Sequence, residues 1–163
     1  MVLVFGTNTN IENLKRTEEK LRQDERELRQ ITDFIPQNIV ILTPDGTPIY
    51  ANQAVLDCSG LTMEDVITPD FRTRISHPED LERLRDERQA ALARGHPFEI
   101  EQPARRRDGE YRWFLVRFNP FHDEQGRLVR WYATGTDIDD RMRTEDIMRS
   151  ENIVLREDER ISP

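Results

Sequence analysis

The chain has 163 residues, enough for one core with appendages and too few for two full domains. Charged residues make up 34% and hydrophobic residues 36%, which excludes a membrane-embedded protein and leaves enough apolar side chains for a modest core. The formal net charge of −8 argues against general binding to nucleic acid or anionic membranes, and the single cysteine, Cys58, excludes an internal disulfide or a multi-thiolate metal site.

Met1–Phe5 is too short for a signal peptide and lacks its basic flank, and no window carries the roughly 18 apolar residues of a spanning helix. The chain is expected to be soluble and cytoplasmic. Val4–Arg22 (VFGTNTNIENLKRTEEKLR) aligns without a gap on Trp131–Arg149 (WYATGTDIDDRMRTEDIMR) at an offset of 127 residues. Thr7, Thr9, Ile11, Arg16, Thr17, Glu18 and Arg22 recur as Thr134, Thr136, Ile138, Arg143, Thr144, Glu145 and Arg149. A strand end, a polar turn and a charged helix thus occur twice, and the module between them once. Residues 1–10 are expected to be the strand end of a preceding copy, as in a fragment of a tandem array.

Residues 11–35 read as an amphipathic, coiled-coil-like linker helix. Twelve of the twenty residues in Ile11–Gln30 are charged, and glycine and proline are missing there. Leu14, Leu21, Leu28 and Ile35 recur at heptad spacing, which is one half of a coiled-coil seam. The complementary positions after Ile11 are Glu18, Glu25 and Thr32, so the seam is weak or packs partly on the rest of the chain. A pair of solvated amphipathic helices is the alternative reading of the two flanks.

Residues 36–138 switch to period-two and fully apolar runs. Asn38–Thr43 and Pro48–Ala51 read as strands around Pro44-Asp45-Gly46, whose Asp-Gly pair favours a hairpin. Short helices follow, with Asn52 as a cap for one and Thr62-x-x-Asp65 as a capping box for another. His77-Pro78-Glu79-Asp80 is expected to open the longest internal helix, running to about Arg94, with proline in its first turn. Three strands come next, Phe98–Arg105, Tyr111–Phe121 and Arg127–Thr136, joined through Asp108-Gly109 and Asp123-Glu124-Gln125-Gly126. Eight of the twelve aromatic residues fall in Phe98–Tyr132, placing the thickest part of the core on these strands. In Tyr111–Phe121, Trp113 and Leu115 alternate with Phe114, Val116 and Phe118. Both faces of that strand must be covered, one by the internal helices and the other by the flanking helices or a partner subunit.

Residues 139–163 form a second charged helix, with 13 charged residues among the 22 of Asp139–Arg160 and Met148 and Leu155 in the positions of Leu21 and Leu28. It reads as a C-terminal signalling helix leading to a downstream domain.

Two strands, short helices, three strands and the closing GTDIDDRMRTED (Gly135–Asp146) resemble a PAS domain with its C-terminal PAC motif. The resemblance covers about Leu28–Arg149 and rests on ITDFIPQNIVILTPDGTPIYANQA (Ile31–Ala54), HPED (His77–Asp80), RDGEYRWF (Arg107–Phe114) and DEQGRLVRWYATGTDID (Asp123–Asp139), in this order. It implies an α+β fold, a five-stranded antiparallel sheet in spatial order 2-1-5-4-3 with helices on one face and long flanking N- and C-terminal helices. It also implies a sensory or dimerisation role in a bacterial signal-transduction protein.

Members of that family hold haem, flavin, small metabolites or nothing. The haem-ligating histidine of the long helix has no counterpart in Glu79–Arg94, and the Asn-Cys-Arg-Phe stretch of photoreactive flavin members is missing, so neither cofactor is supported and the ligand is unknown. His77 reads as a residue at a helix start, and His96 and His122 fall in turns, which leaves a metal site without support. Phosphate-loop, nucleophile-elbow and zinc-protease motifs are missing, and the chain is not expected to be an enzyme.

Candidate cavity residues are Leu56, Cys58, Leu84, Leu92, Phe98, Trp113 and Leu115; candidate dimer or signalling-helix residues are Leu14, Leu21, Leu28, Ile35, Met148 and Leu155. SENIVLREDERIS (Ser150–Ser162) resembles the connector before the ATPase domain of sigma-54-dependent activators. A histidine kinase with tandem modules is the other parent considered. The leading expectation is a homodimeric sensory module that binds a small molecule or partner and relays the change through its flanking helices to that effector. The alternative is a ligand-free dimerisation spacer in a tandem array. Neither direct nucleic-acid binding nor membrane insertion is expected.

Overall fold

The structure, a computed structural model, describes residues 2–161. The chain divides into two compact units, Met1–Pro36 and Gln37–Pro163.

The first unit is one helix, α1 (Val2–Phe34), built on a stretch whose charges alternate in sign. Residues 2–10, expected as a strand end, are helical, and Met1 lies outside the described residues. The physical reason is pairing. The equivalent segment Trp131–Thr136 is held by ladders on both sides, whereas residues 2–10 enter no ladder among the described residues, and a helix satisfies its own backbone groups.

The second unit opens with the hairpin β1 (Asn38–Leu42) and β2 (Pro48–Ala51). Three short helices follow, α2 (Gln53–Ser59), α3 (Met63–Ile67) and α4 (Phe71–Ile75), and then α5 (Leu81–Arg94). Strands β3 (Phe98–Arg105), β4 (Tyr111–His122) and β5 (Leu128–Asp137) complete the sheet, and α6 (Asp139–Ile161) leaves it. All neighbours are antiparallel in the order β2-β1-β5-β4-β3, as expected.

Local chemistry sets the helix boundaries. The Asn52 side chain caps α2, and Thr62 and Asp65 form the reciprocal capping box of α3. One expectation is corrected here. His77-Pro78-Glu79-Asp80 is a turn preceding α5, with the Asp80 amide donating to the His77 carbonyl and the Glu79 amide to His77 Nδ1. Satisfied within that turn, these groups delay the helix to Leu81.

The core has two centres. Leu42, Leu84, Leu92, Ile100, Phe118, Trp131 and Ala133 form the larger, with Phe98 stacked on Phe118 at 4.5 Å and edge-on to Trp131 at 5.6 Å. Ala51, Val55, Val66 and Phe71 form the smaller. Val40 of the central hairpin packs against both.

Candidate functional site

Between the two core centres lies a cavity of about 120 Å³. Its floor is the inner face of the sheet, with Val40 and Leu42 from β1, Phe114, Val116 and Phe118 from β4, and Ala133 and Gly135 from β5. Its walls are Val55, Cys58 and Ser59 of α2 and Phe71 and Ile75 of α4. Ser76, after α4, bridges to Ala104 of β3 and closes one side. The size is close to that of the ~150 Å³ apolar cavity that accommodates benzene in other proteins.

Three guanidinium groups, those of Arg72, Arg88 and the exposed Arg105, break this apolar lining. Arg72 of α4 donates through Nη2 to the Gly46 carbonyl; burial lowers its pKa, partly offset by the charge of Asp45. Arg88 sits on the buried face of α5, one turn from Leu84 and one from Leu92. It is 8% exposed and makes no hydrogen bond or ion pair among the described residues. Burial, with the like charge of Arg72 adding to it, pushes its pKa down to about 10, so it is still a cation at neutral pH.

The expected cavity residues divide. Cys58 lines the cavity, half-buried. Leu84 and Leu92 are buried in the larger core centre, Phe98 packs against that centre and Leu56 against the smaller one, so these four do not line the space. Trp113 and Leu115 also fall outside the lining, because the period of two turns them to the opposite face from Phe114, Val116 and Phe118. Arg72 and Arg88 were missed. The signal available in the sequence was the spacing of Arg88, four residues from Leu84 and four from Leu92.

A second arrangement joins the sheet to α6. The Trp113 amide donates to Asp139 Oδ1 at 3.1 Å, and the Ile138 amide donates to the Trp113 carbonyl at 2.8 Å. Asp139 is 3% exposed; its Oδ2 lies 2.6 Å from Arg143 Nε and 3.9 Å from Arg112 Nη1. Arg112 of β4 also pairs with Asp137 at 2.7 Å and Asp140 at 3.4 Å. The start of α6 is therefore locked to β4 beside residues that line the cavity. The candidate helix residues Leu14, Leu21, Leu28, Met148 and Leu155 are exposed, as is Ile35, just past α1.

A family model described as PAS fold matches residues 48–135. The chain belongs to the PAS family. The PAS match covers most of the sheet and the cavity lining except Asn38, Val40 and Leu42 of β1. Among curated relatives, the peroxide stress-activated histidine kinase mak1 of Schizosaccharomyces pombe is 30% identical over 128 residues, 78% of this chain and 8% of that protein. Blue-light-activated histidine kinase 1 of Erythrobacter litoralis is 30% identical over 97 residues, 60% of this chain and 27% of that protein. The chain thus spans about a quarter or less of these relatives. Among solved structures, a PAS domain from Colwellia psychrerythraea superposes with a TM-score of 0.59 at 20% identity, over 71% of this chain and 97% of that one. The quorum-sensing receptor RpfR PAS domain of Cronobacter turicensis, solved in complex with BDSF, gives 0.52 at 26% identity, over 64% of this chain and 95% of that one. No described helix is long and apolar enough to cross a membrane.

Proposed function

We propose that this PAS domain is a sensory module whose cavity occupancy is transmitted through β4 and β5 to α6, and from there to an effector domain in a longer signalling protein. One observation carries the reading: the strands that floor the cavity also hold the first turn of α6. Phe114 faces the cavity while the adjacent Trp113, on the other face, exchanges hydrogen bonds with Ile138 and Asp139. A ligand that binds one placement of Phe114 more tightly than another biases the clamp by that difference in affinity. The complex of the RpfR PAS domain with BDSF supports a ligand-binding role for such a module. The histidine-kinase relatives support a kinase as the effector, and the Ser150–Ser162 connector favours a sigma-54-type ATPase. A cytoplasmic location fits either.

A second reading, a dimerisation spacer, is favoured by the exposed stripe Leu14, Leu21 and Leu28. In both readings α1 and α6 are equivalent signalling helices at two module boundaries, as the repeat of Thr7–Arg22 at Thr134–Arg149 suggests.

Hydrogen exchange on the full chain tests the relay. Filling the cavity by Ala104→Leu, or by Val55→Leu should the first perturb β3, is expected to alter amide protection over Asp139–Thr144, and Asp139→Ala is expected to remove that response. If protection of this turn does not respond to filling, or responds equally with Asp139 replaced, the relay is wrong.

A further inference from the structure

Arg88 is the feature the fold does not use. It stands where the α5 face otherwise presents Leu84 and Leu92 to the core, it is more than nine-tenths buried, and no described residue accepts a bond from it. The charged group acting on it is Arg72, of the same sign. Asp45 offsets Arg72, but its carboxylate is committed to Thr43 and the Thr47 amide in the surface turn. Three cations, Arg72, Arg88 and the exposed Arg105, therefore edge an apolar cavity, and Asp45, the acid that acts on Arg72, is engaged elsewhere. A desolvated cation without a counter-ion is unfavourable, and a bound anion relieves it.

We infer that the cavity takes a small organic monocarboxylate, its carboxylate held by the Arg88 guanidinium with Arg72 alongside, and its apolar body against Val40, Phe114 and Phe118. The inference rests on the sensory reading and names the ligand class for it. A guanidinium presents paired N–H donors that match a carboxylate in bidentate fashion. The rest of the lining is mostly apolar, and the volume of about 120 Å³ suits a body near the size of a benzene ring. A phosphate ion would leave the Phe114 and Val116 side of the cavity unfilled.

The test is a solution NMR titration of the full chain with benzoate, with benzyl alcohol as the uncharged counterpart, and with inorganic phosphate. Benzoate is expected to shift the amide signals of Phe114, Val116 and Gly135 and to bind more tightly than benzyl alcohol. Arg88→Met is expected to weaken benzoate by about tenfold or more and leave benzyl alcohol within about twofold, since only the charged hydrogen bonds are lost. Arg88→Lys keeps the charge without the fork and is expected to fall between. Methionine suits this buried position, and unchanged benzyl alcohol binding reports that the variant is folded. Three results overturn the assignment: no benzoate binding, equal benzoate affinity in Arg88→Met, or stronger competition by phosphate than by benzoate. Arg88-dependent benzoate binding that leaves α6 protection unchanged would sink the relay and keep the anion site. Cavity filling that moves α6 in a chain that ignores benzoate would do the reverse.

Discussion

Asn52 has an accessibility of 0%, and three backbone groups from two segments meet on its side chain. Oδ1 accepts from the Ile39 amide at 3.0 Å and the Val55 amide at 3.3 Å, while Nδ2 donates to the Gln37 carbonyl at 2.8 Å. It caps α2 and ties it to β1 at once. Asn52→Ala is expected to cost about 2–3 kcal/mol in urea denaturation, since it removes a cap and strands a buried amide; a loss below about 1 kcal/mol would mean water replaces it. Gly46 is equally constrained, at φ +91° with the place of a Cβ only 2.6 Å from Leu92 Cδ1. Gly46→Ala is expected to destabilise by about 2 kcal/mol, from backbone strain and the collision together, read in the same denaturation experiment. At this scale the sequence was informative where chemistry is local: the Asn52 cap and the Thr62–Asp65 box follow from residue type and spacing. Arg88 was not legible in the same way. LERLRDERQAALAR holds four arginines, and which one turns inward depends on how α5 lies on the sheet.

At the scale of elements, the junction between β4, β5 and α6 carries a pH dependence of known sign. For Asp137, burial acts to raise the pKa, but the Arg112 hydrogen bond and charge, with the Asp139 amide, outweigh it and hold the value below 3.8. A carboxylate depressed in the folded state contributes stability that is complete above its unfolded pKa and is lost as pH falls through the folded one. The first turn of α6 is therefore expected to keep its amide protection down to about pH 4 and lose it below, measured by hydrogen exchange. Arg112→Met is expected to reduce the dependence; an identical profile in that variant would assign the loss to another group. The strand limits agree with the sequence reading to within a residue, because period-two runs and Asp-Gly turns act locally, and the sheet order is the one that the PAS resemblance implied. The seven expected cavity residues fared differently. Placing Trp113 and Leu115 in the lining needed the face of β4 that meets the helices, and a strand apolar on both faces does not announce it.

At the scale of the whole molecule, Leu14, Leu21 and Leu28 are 62%, 58% and 62% exposed, an apolar stripe that a coiled-coil partner would bury. Sedimentation of the full chain is expected to show a dimer. Replacing these three leucines by asparagine is expected to weaken association by about 2 kcal/mol per buried leucine side chain and to leave the melting of the Gln37–Pro163 unit unchanged, since that unit has its own core. A monomeric parent chain, or equal association in the variant, would rule the stripe out as the seam. The segment 2–10 shows the limit of reading repeats: its sequence matches a β5 strand, yet it enters no ladder among the described residues and is helical. The sequence by itself determined the order of elements, their caps and turns and the family, because these depend on residue type and short spacings. Tertiary structure alone decided which faces enclose the cavity, that Arg88 stands beside it with no partner among the described residues, and that Asp139 is bound to Trp113. Those outcomes depend on how helices and strands distant in sequence are superposed, which no local pattern encodes.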